Sequence, residues 1–319
     1  MPAHARFHGM IFPILKKHGE PMNNNTFLSW LERGARLVSD GATGTNLQKR
    51  GLPKGQPSDL WVLDNPEGVL QLHRDFIAAG SNVILTNTFG ARSLQQKKSG
   101  LDGKTRELNL AAVELARRAA EGVDAFVAGS MGPLGELLQP FGTLSEDDAL
   151  AAYREQAGCL LEGGVDLLVI ETQFDLTEAR VAVQAVRQLD ENIPLICSFS
   201  YDRGTRTMMG VRPKQMAAEI GPLGVNALGI NCGRSLDENL QALRELREAT
   251  DLPIWFKPNA GLPGTDAAGN TTYSVTPEEM GARVAEWIEA GASVVGGCCG
   301  TSPEHVQQIA INLKRLQAA

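Results

Sequence analysis

Apolar and polar positions along this chain fall into one repeating unit. A short, β-branched apolar run ends in Gly, Asn, Thr or Cys, and a longer stretch with apolar residues at helical spacing follows. The unit recurs about eight times. Residues 36–40, 82–86, 125–129, 166–170, 194–199, 227–230 and 253–256 are the strand-like runs, with an eighth (Ala292, Val294, Val295) leading to Cys298–Cys299. Stretches 68–79, 105–120, 147–162, 176–189, 236–249, 277–290 and 303–316 predict amphipathic helices. The last opens on Ser302–Pro303–Glu304, a capping residue, a first-turn proline and an early acid. Strands apolar on both faces, alternating with helices, predict a parallel sheet covered on both sides. Eight repeats predict an α/β fold closed into a (β/α)8 TIM barrel rather than an open doubly wound sheet. A glycine-rich dinucleotide loop is absent after the first strand, since Gly41 and Gly44 have the wrong spacing. With no linker-like composition between residues 30 and 317, one barrel domain over 26–319 is expected. Residues 1–25 are expected to be a loosely ordered extension.

Composition narrows the function. A chain of 319 residues is long enough for a barrel as one domain. The net charge of −7 argues against nucleic acid or an anionic membrane as partner. The early apolar run from Met10 to Leu15 is too short to span a membrane, is broken by Pro13, and lacks a signal-peptide cleavage site. Five cysteines in a chain of this length form no disulfide framework and point to a reducing compartment, the cytoplasm.

In a TIM barrel the carboxyl ends of the strands share one mouth. Asp40, Asn87, Glu171, Cys232, Asn259, Cys298 and Cys299 all fall at predicted strand ends. Adjacent Cys298 and Cys299 are poor disulfide partners for each other. With Cys232 as a third ligand they would form a three-thiolate zinc site with one open position, the pattern of a catalytic rather than a sealed site. A substrate thiol entering that position is deprotonated, and sulfur-rich ligation leaves it nucleophilic, which suits attack on an activated methyl group. Cys159 and Cys197 read as small buried hydrophobes, and His305 as a helix residue beside the cap. Glu171, closing an apolar strand, is either an acceptor for loop amides or a ligand for a substrate ammonium. Asp40 either caps its turn or belongs to a loop whose amides and threonine hydroxyls bind a carboxylate.

Five segments carry a resemblance across about residues 30–317: Asp40–Gly41–Ala42–Thr43–Gly44–Thr45, Thr86–Asn87–Thr88–Phe89–Gly90, Gly229–Ile230–Asn231–Cys232, Pro258–Asn259–Ala260–Gly261 and Gly297–Cys298–Cys299–Gly300–Thr301. In this order they resemble the zinc-dependent homocysteine S-methyltransferase family, in particular the homocysteine domain of cobalamin-dependent methionine synthase and the short bacterial betaine–homocysteine methyltransferases. The resemblance implies one Zn2+ on Cys232, Cys298 and Cys299, with Asn259 as a stand-in ligand when substrate is absent. It implies homocysteine bound through sulfur, its amino group near Glu171 and its backbone near Asp40 and Gly41, with Thr43, Asn87, Asn231 and Asn259 as further substrate contacts. The expected product is methionine. Two donors stay open: a small onium compound, betaine-like or sulfonium, or a methylcobalamin carried by a separate corrinoid protein, because no cobalamin domain follows Ala319. A betaine pocket would want aromatic faces, and Phe89, Phe174 and Tyr201 lie at strand ends. A non-catalytic barrel that binds zinc and a thiol is the alternative from another class. An oligomer is compatible with all of these.

Overall fold

The computed structural model describes residues 24–98, 103–266 and 271–318. Eight parallel strands form its centre: β1 (Leu37–Val38), β2 (Val83–Leu85), β3 (Phe126–Met131), β4 (Leu167–Gln173), β5 (Leu195–Phe199), β6 (Ala227–Cys232), β7 (Ile254–Pro258) and β8 (Ala292–Val295). Their hydrogen-bonded order is β1-β8-β7-β6-β5-β4-β3-β2. A bridge from Ser39 to Val83 joins the two ends, with Asp40 N–H donating to Val83 O at 3.0 Å and Asn82 N–H to Val38 O at 2.7 Å. The sheet therefore closes into the (β/α)8 barrel that the repeat predicts.

Side chains alternate along each strand with a period of two. Leu37, Val83, Leu85, Phe126, Ala128, Leu167, Val169, Ile196, Ala227, Trp255 and Val294 form one buried cluster, the barrel interior. The residues between them, among them Ile84, Val127, Leu168, Ile170, Leu228 and Phe256, belong to the larger cluster shared with the helices. Gly229 makes room inside: a Cβ there would lie 2.8 Å from Ser198 and 3.1 Å from the Cβ of Trp255. Below, the helix Asn24–Glu32 closes the amino-terminal end. Its Phe27 and Leu31 join the interior cluster, and Phe27 and Trp30 set their rings edge-on to Phe126 at 5.3 and 5.7 Å. Full burial of a phenylalanine such as Phe27 contributes about 2–3 kcal/mol. That helix falls largely outside the extension expected over residues 1–25; residues 1–23 lie outside the described residues.

The predicted helices are present with ends shifted by a few residues, as at Pro66–Ala78 and Glu146–Gly163. Ser145, Asp175 and Ser235 cap three of them, each accepting from the N–H three residues on. The predicted helix over 277–290 divides at Arg283 into Pro277–Ala282 and Val284–Glu289. Short helices at Thr43–Lys49, Ser93–Lys98 and Pro213–Ile220, and an antiparallel pair Pro263–Thr265 with Thr271–Tyr273, are too brief for periodicity to reveal. No helix among the described residues is long and apolar enough to cross a membrane.

Candidate metal and substrate site

The interior rows of the barrel continue upward from apolar into polar residues. The row Val83, Leu85 leads to Asn87, Phe126 and Ala128 lead to Ser130, and Leu167 and Val169 lead to Glu171. Ile196 leads to Ser198, Ala227 to Asn231 and Trp255 to Lys257. One alternation thus builds the core below and the site above. A cavity of about 390 Å3 opens there, lined by the Gly41–Thr45 loop, Asn87, Phe89, Ser130, Glu171, Thr172, Lys257, Cys232, Cys298 and Cys299, among others.

The three cysteines meet, although Cys298 lies 66 positions after Cys232. Their sulfurs all lie within 4.8 Å of one another, and Cys232 Sγ is 3.1 Å from Cys298 Sγ. Cys232 has the wrong parity for an inward side chain, since its neighbour Asn231 already points in. Its φ of +60° re-aims it, and Thr172, just after inward Glu171, is turned in the same way at φ +61°. Left-handed backbone at such residues costs about 1–3 kcal/mol each and persists only where the surroundings impose it. Backbone bonds tie the ligand strands together: Asn259 N–H to Cys232 O (3.1 Å), Cys298 N–H to Pro258 O (2.9 Å) and Ala260 N–H to Cys299 O (3.0 Å).

The donor set fits a zinc ion. Three sulfurs this close can share one ion at bonds of about 2.3 Å, the number of protein ligands that leaves a fourth position over. Asn259 supplies a second sign. Its Nδ2 donates to Gly233 O at 2.8 Å, while its Oδ1 is buried without a hydrogen-bond partner. A buried oxygen left orphaned on a residue whose backbone bonds to Cys232 is the kind of group a metal ion satisfies.

Glu171 is 7 % exposed, and Ser130 Oγ donates to its Oε1 at 2.5 Å. Burial pushes its carboxyl up to about 7, with Lys257 pulling it back and Cys298 and Asp40 adding to the rise. Asp40 lies behind the cavity lining and spends both oxygens. Oδ1 takes Lys257 Nζ at 2.6 Å and Ser39 Oγ at 3.2 Å, and Oδ2 takes Leu85 N–H at 2.8 Å. Lys257 and Asp40 are 3 % and 1 % exposed, and the ammonium also sits 5.5 Å above the Trp255 ring. Asn231 likewise stands behind the lining with every polar atom bonded inside the protein, whereas Gly41, Thr43 and Asn87 face the cavity. Asn87 Nδ2 donates to Ser58 O at 2.7 Å.

Of the three aromatic candidates, Phe89 lines the cavity and Phe174 is not part of the lining. Tyr201 is fully buried with its hydroxyl on Met216 Sδ at 3.5 Å, so it walls no pocket. His305 is structural: Nδ1 accepts from Ser302 N–H at 3.1 Å and Nε2 donates to Val275 O at 2.9 Å. Cys159 and Cys197 are buried away from the cluster, as read.

Lys257, Ser130 and Thr172 are lining residues that motif reading passes over; strand parity alone would have singled out the first two. Tyr273 of the antiparallel pair lies on the cysteine turn. A Cβ at Gly300, where φ is +82°, would come within 2.2 Å of its ring, so both the backbone and the ring require glycine. Burial and the nearby Cys299 push the Tyr273 phenol up to about 12. A second, more open hollow of about 570 Å3 lies outside the barrel, with Lys49, Arg50, Asp75 and Glu304 in its lining. Arg50 pairs there with Asp75, and Glu304 with Ser302, and no metal-ligand cluster among the described residues lies in it.

Comparison with known proteins agrees with this geometry. The family model for homocysteine S-methyltransferase matches residues 37–313. The methionine synthases of Mycobacterium leprae and Mycobacterium tuberculosis are each 32 % identical, over 295 and 298 residues. The match covers 88 % of this chain but only 24 % and 25 % of theirs, so the chain spans about a quarter of their length. Among solved structures, the metallated form of the homocysteine methyltransferase MmuM from Escherichia coli superposes with a TM-score of 0.77 at 26 % identity, covering 91 % of this chain and 99 % of that one. The chain therefore belongs to the homocysteine S-methyltransferase family.

Proposed function

We propose that this chain is a zinc-dependent methyltransferase that moves a methyl group from a small onium donor to the thiol of homocysteine, forming methionine. The observation that carries the reading is the convergence of Cys232, Cys298 and Cys299 on a cavity that also presents Glu171. Held by the three sulfurs, zinc would supply a site that binds and ionises the substrate thiol. Asn259, with its orphaned Oδ1, would be the fourth donor in the absence of substrate. Glu171 takes the substrate ammonium, while the Gly41–Thr45 loop and Asn87 line the side left for the rest of the amino acid. Three cysteinates and two carboxylates outweigh Lys257 and a divalent ion, so the cavity stays net negative, which favours a cationic donor over an anionic one.

A second reading keeps the acceptor and changes the donor. Exposed apolar side chains stand on the loops that leave the same barrel face: Leu137 and Phe141 after β3, Met208 and Met209 after β5, and Leu262 after β7. A protein-borne methylcorrinoid would use such a rim; a small onium ion would not. Methionine formation by zinc-loaded protein, with glycine betaine, dimethylsulfoniopropionate, S-methylmethionine and methylcobalamin offered in parallel, decides between them. Turnover with one onium donor supports the first reading, and transfer from methylcobalamin alone replaces it with the second. No transfer from any donor, despite bound zinc, would leave a thiol-binding barrel.

Glu171 provides a pH test. Its carboxyl is neutral below about pH 7 and charged above it, so the attraction for an ammonium group is present at higher pH and fades on acidification. The KM for homocysteine is expected to rise as pH falls from 8 to 6, approaching tenfold per unit below the transition. Glu171→Gln should raise KM by about 10- to 100-fold at pH 8, flatten that profile and leave zinc content unchanged. Zinc content falling in step with activity would instead make Glu171 a structural acceptor.

A further inference from the structure

Asn231 has more to do than its place beside a ligand requires. Its side chain is fully buried and bridges three strands and the turn after β8. Oδ1 accepts from Thr172 N–H on β4 at 2.9 Å and from Ser198 Oγ on β5 at 2.7 Å. Because a backbone N–H can only donate, the oxygen end of the amide must face Thr172, and the NH2 end is thereby fixed. Nδ2 donates to Thr172 Oγ1 at 2.7 Å, to Cys232 Sγ at 3.3 Å and, at the long limit of a contact to sulfur, to Cys298 Sγ at 3.9 Å. Thr172 and Cys232, the two residues this amide joins, are the described non-glycine residues with positive φ. One side chain thus holds both strained positions. It connects the sulfurs of β6 and of the turn after β8 to the strand end that carries Glu171.

We propose that Asn231 is a positioning residue for the metal centre: its amide clamps the Cys232 and Cys298 sulfurs against the Glu171–Thr172 strand end and draws negative charge from them through N–H···S hydrogen bonds. The inference rests on the reading of the three cysteines as zinc ligands, and it assigns Asn231 to the sulfurs rather than to the substrate. Outer partners of this kind orient metal ligands and moderate their donation, and their loss typically weakens metal binding 10- to 100-fold.

The test uses the full chain with zinc, and with cobalt(II) as a spectroscopic substitute. Asn231→Asp is nearly isosteric and keeps both acceptor bonds, but offers the sulfurs no N–H. Thr172→Ala leaves Asn231 in place and removes the hydroxyl that anchors its NH2 group. In chelator competition, Asn231→Asp is expected to weaken zinc binding about 10- to 100-fold and Thr172→Ala to weaken it by a smaller factor. In both, the sulfur-to-cobalt charge-transfer band should move to lower energy, as less stabilised thiolates give up electrons more readily. Unchanged metal affinity and an unchanged band, with only a lower melting temperature, would make the amide a structural brace and overturn the proposal. If Asn231→Asp does not fold, the Thr172→Ala result decides in the same way. A wild-type chain that binds neither metal would overturn the zinc reading itself, which separates that failure from this one.

Discussion

Cys298→Ala is expected to remove bound zinc and methyl transfer together. Cys298 offers its sulfur to the cluster, within 4.8 Å of the other two, and its own N–H bonds to Pro258 O. Two thiolates are too few for a catalytic zinc site, which takes three protein ligands and a substrate position. The loss of activity should exceed the roughly 10- to 100-fold cost of removing an outer partner, and zinc per chain, measured on dialysed protein, should fall far below one. Cys159→Ala is the control. That thiol is buried on the helix Glu146–Gly163, outside the cluster, so its loss leaves metal content intact. Full turnover by metal-free Cys298→Ala protein would end the zinc mechanism.

The largest stability effect is expected at Lys257. Its ion pair with Asp40 is 2.6 Å long and almost wholly buried. Lys257→Met fills a similar volume but leaves the Asp40 carboxylate without its cation, and breaking a buried pair in this way costs about 3–5 kcal/mol. The melting temperature should fall by about 5–10 °C. Pairing the change with Asp40→Asn should recover much of the loss, because no uncompensated charge remains; a double variant as unstable as the sum of the two singles would mean that the groups do not interact. The same substitution has a functional sign. Lys257 is the largest influence holding the Glu171 carboxyl down. Without it the carboxyl rises above about 7, less of it is charged at neutral pH, and the pH dependence of homocysteine binding moves to higher pH.

Much of the architecture is legible in the order of residues because its causes are local. Apolar runs such as Leu167–Leu168–Val169–Ile170 are buried on both faces, and the helical stripes between them need only the barrel's outer layer, so repeat and periodicity are enough to read eight strands and a closed sheet. Elements shorter than two turns carry no such signal. The helix Thr43–Lys49 and the pair Pro263–Thr265 with Thr271–Tyr273 exist because of what they pack on. Tyr201 shows the limit of reading by strand end: it follows β5, yet packs its hydroxyl against Met216 in the core.

The site divides in the same way. Sequence by itself determined the strand-end cysteines, Glu171 and the parity that sends alternate residues into the barrel, since each of these follows from position along one strand. Only the tertiary structure decided who meets whom. Lys257 reads as an ordinary strand-end lysine until closure of the barrel brings Asp40, 217 positions earlier, to 2.6 Å. Asp40 reads as a turn cap or part of a carboxylate-binding loop and Asn231 as a substrate contact, and neither reading contains the bonds they make to Leu85, Ser198 and Thr172 from other strands. Cys232 has outward parity in the sequence and turns inward only because surrounding contacts hold its backbone at positive φ. Local pattern fixes which way a strand faces, while hydrogen bonds and charge pairing across the closed barrel determine which of the inward groups remain available for chemistry.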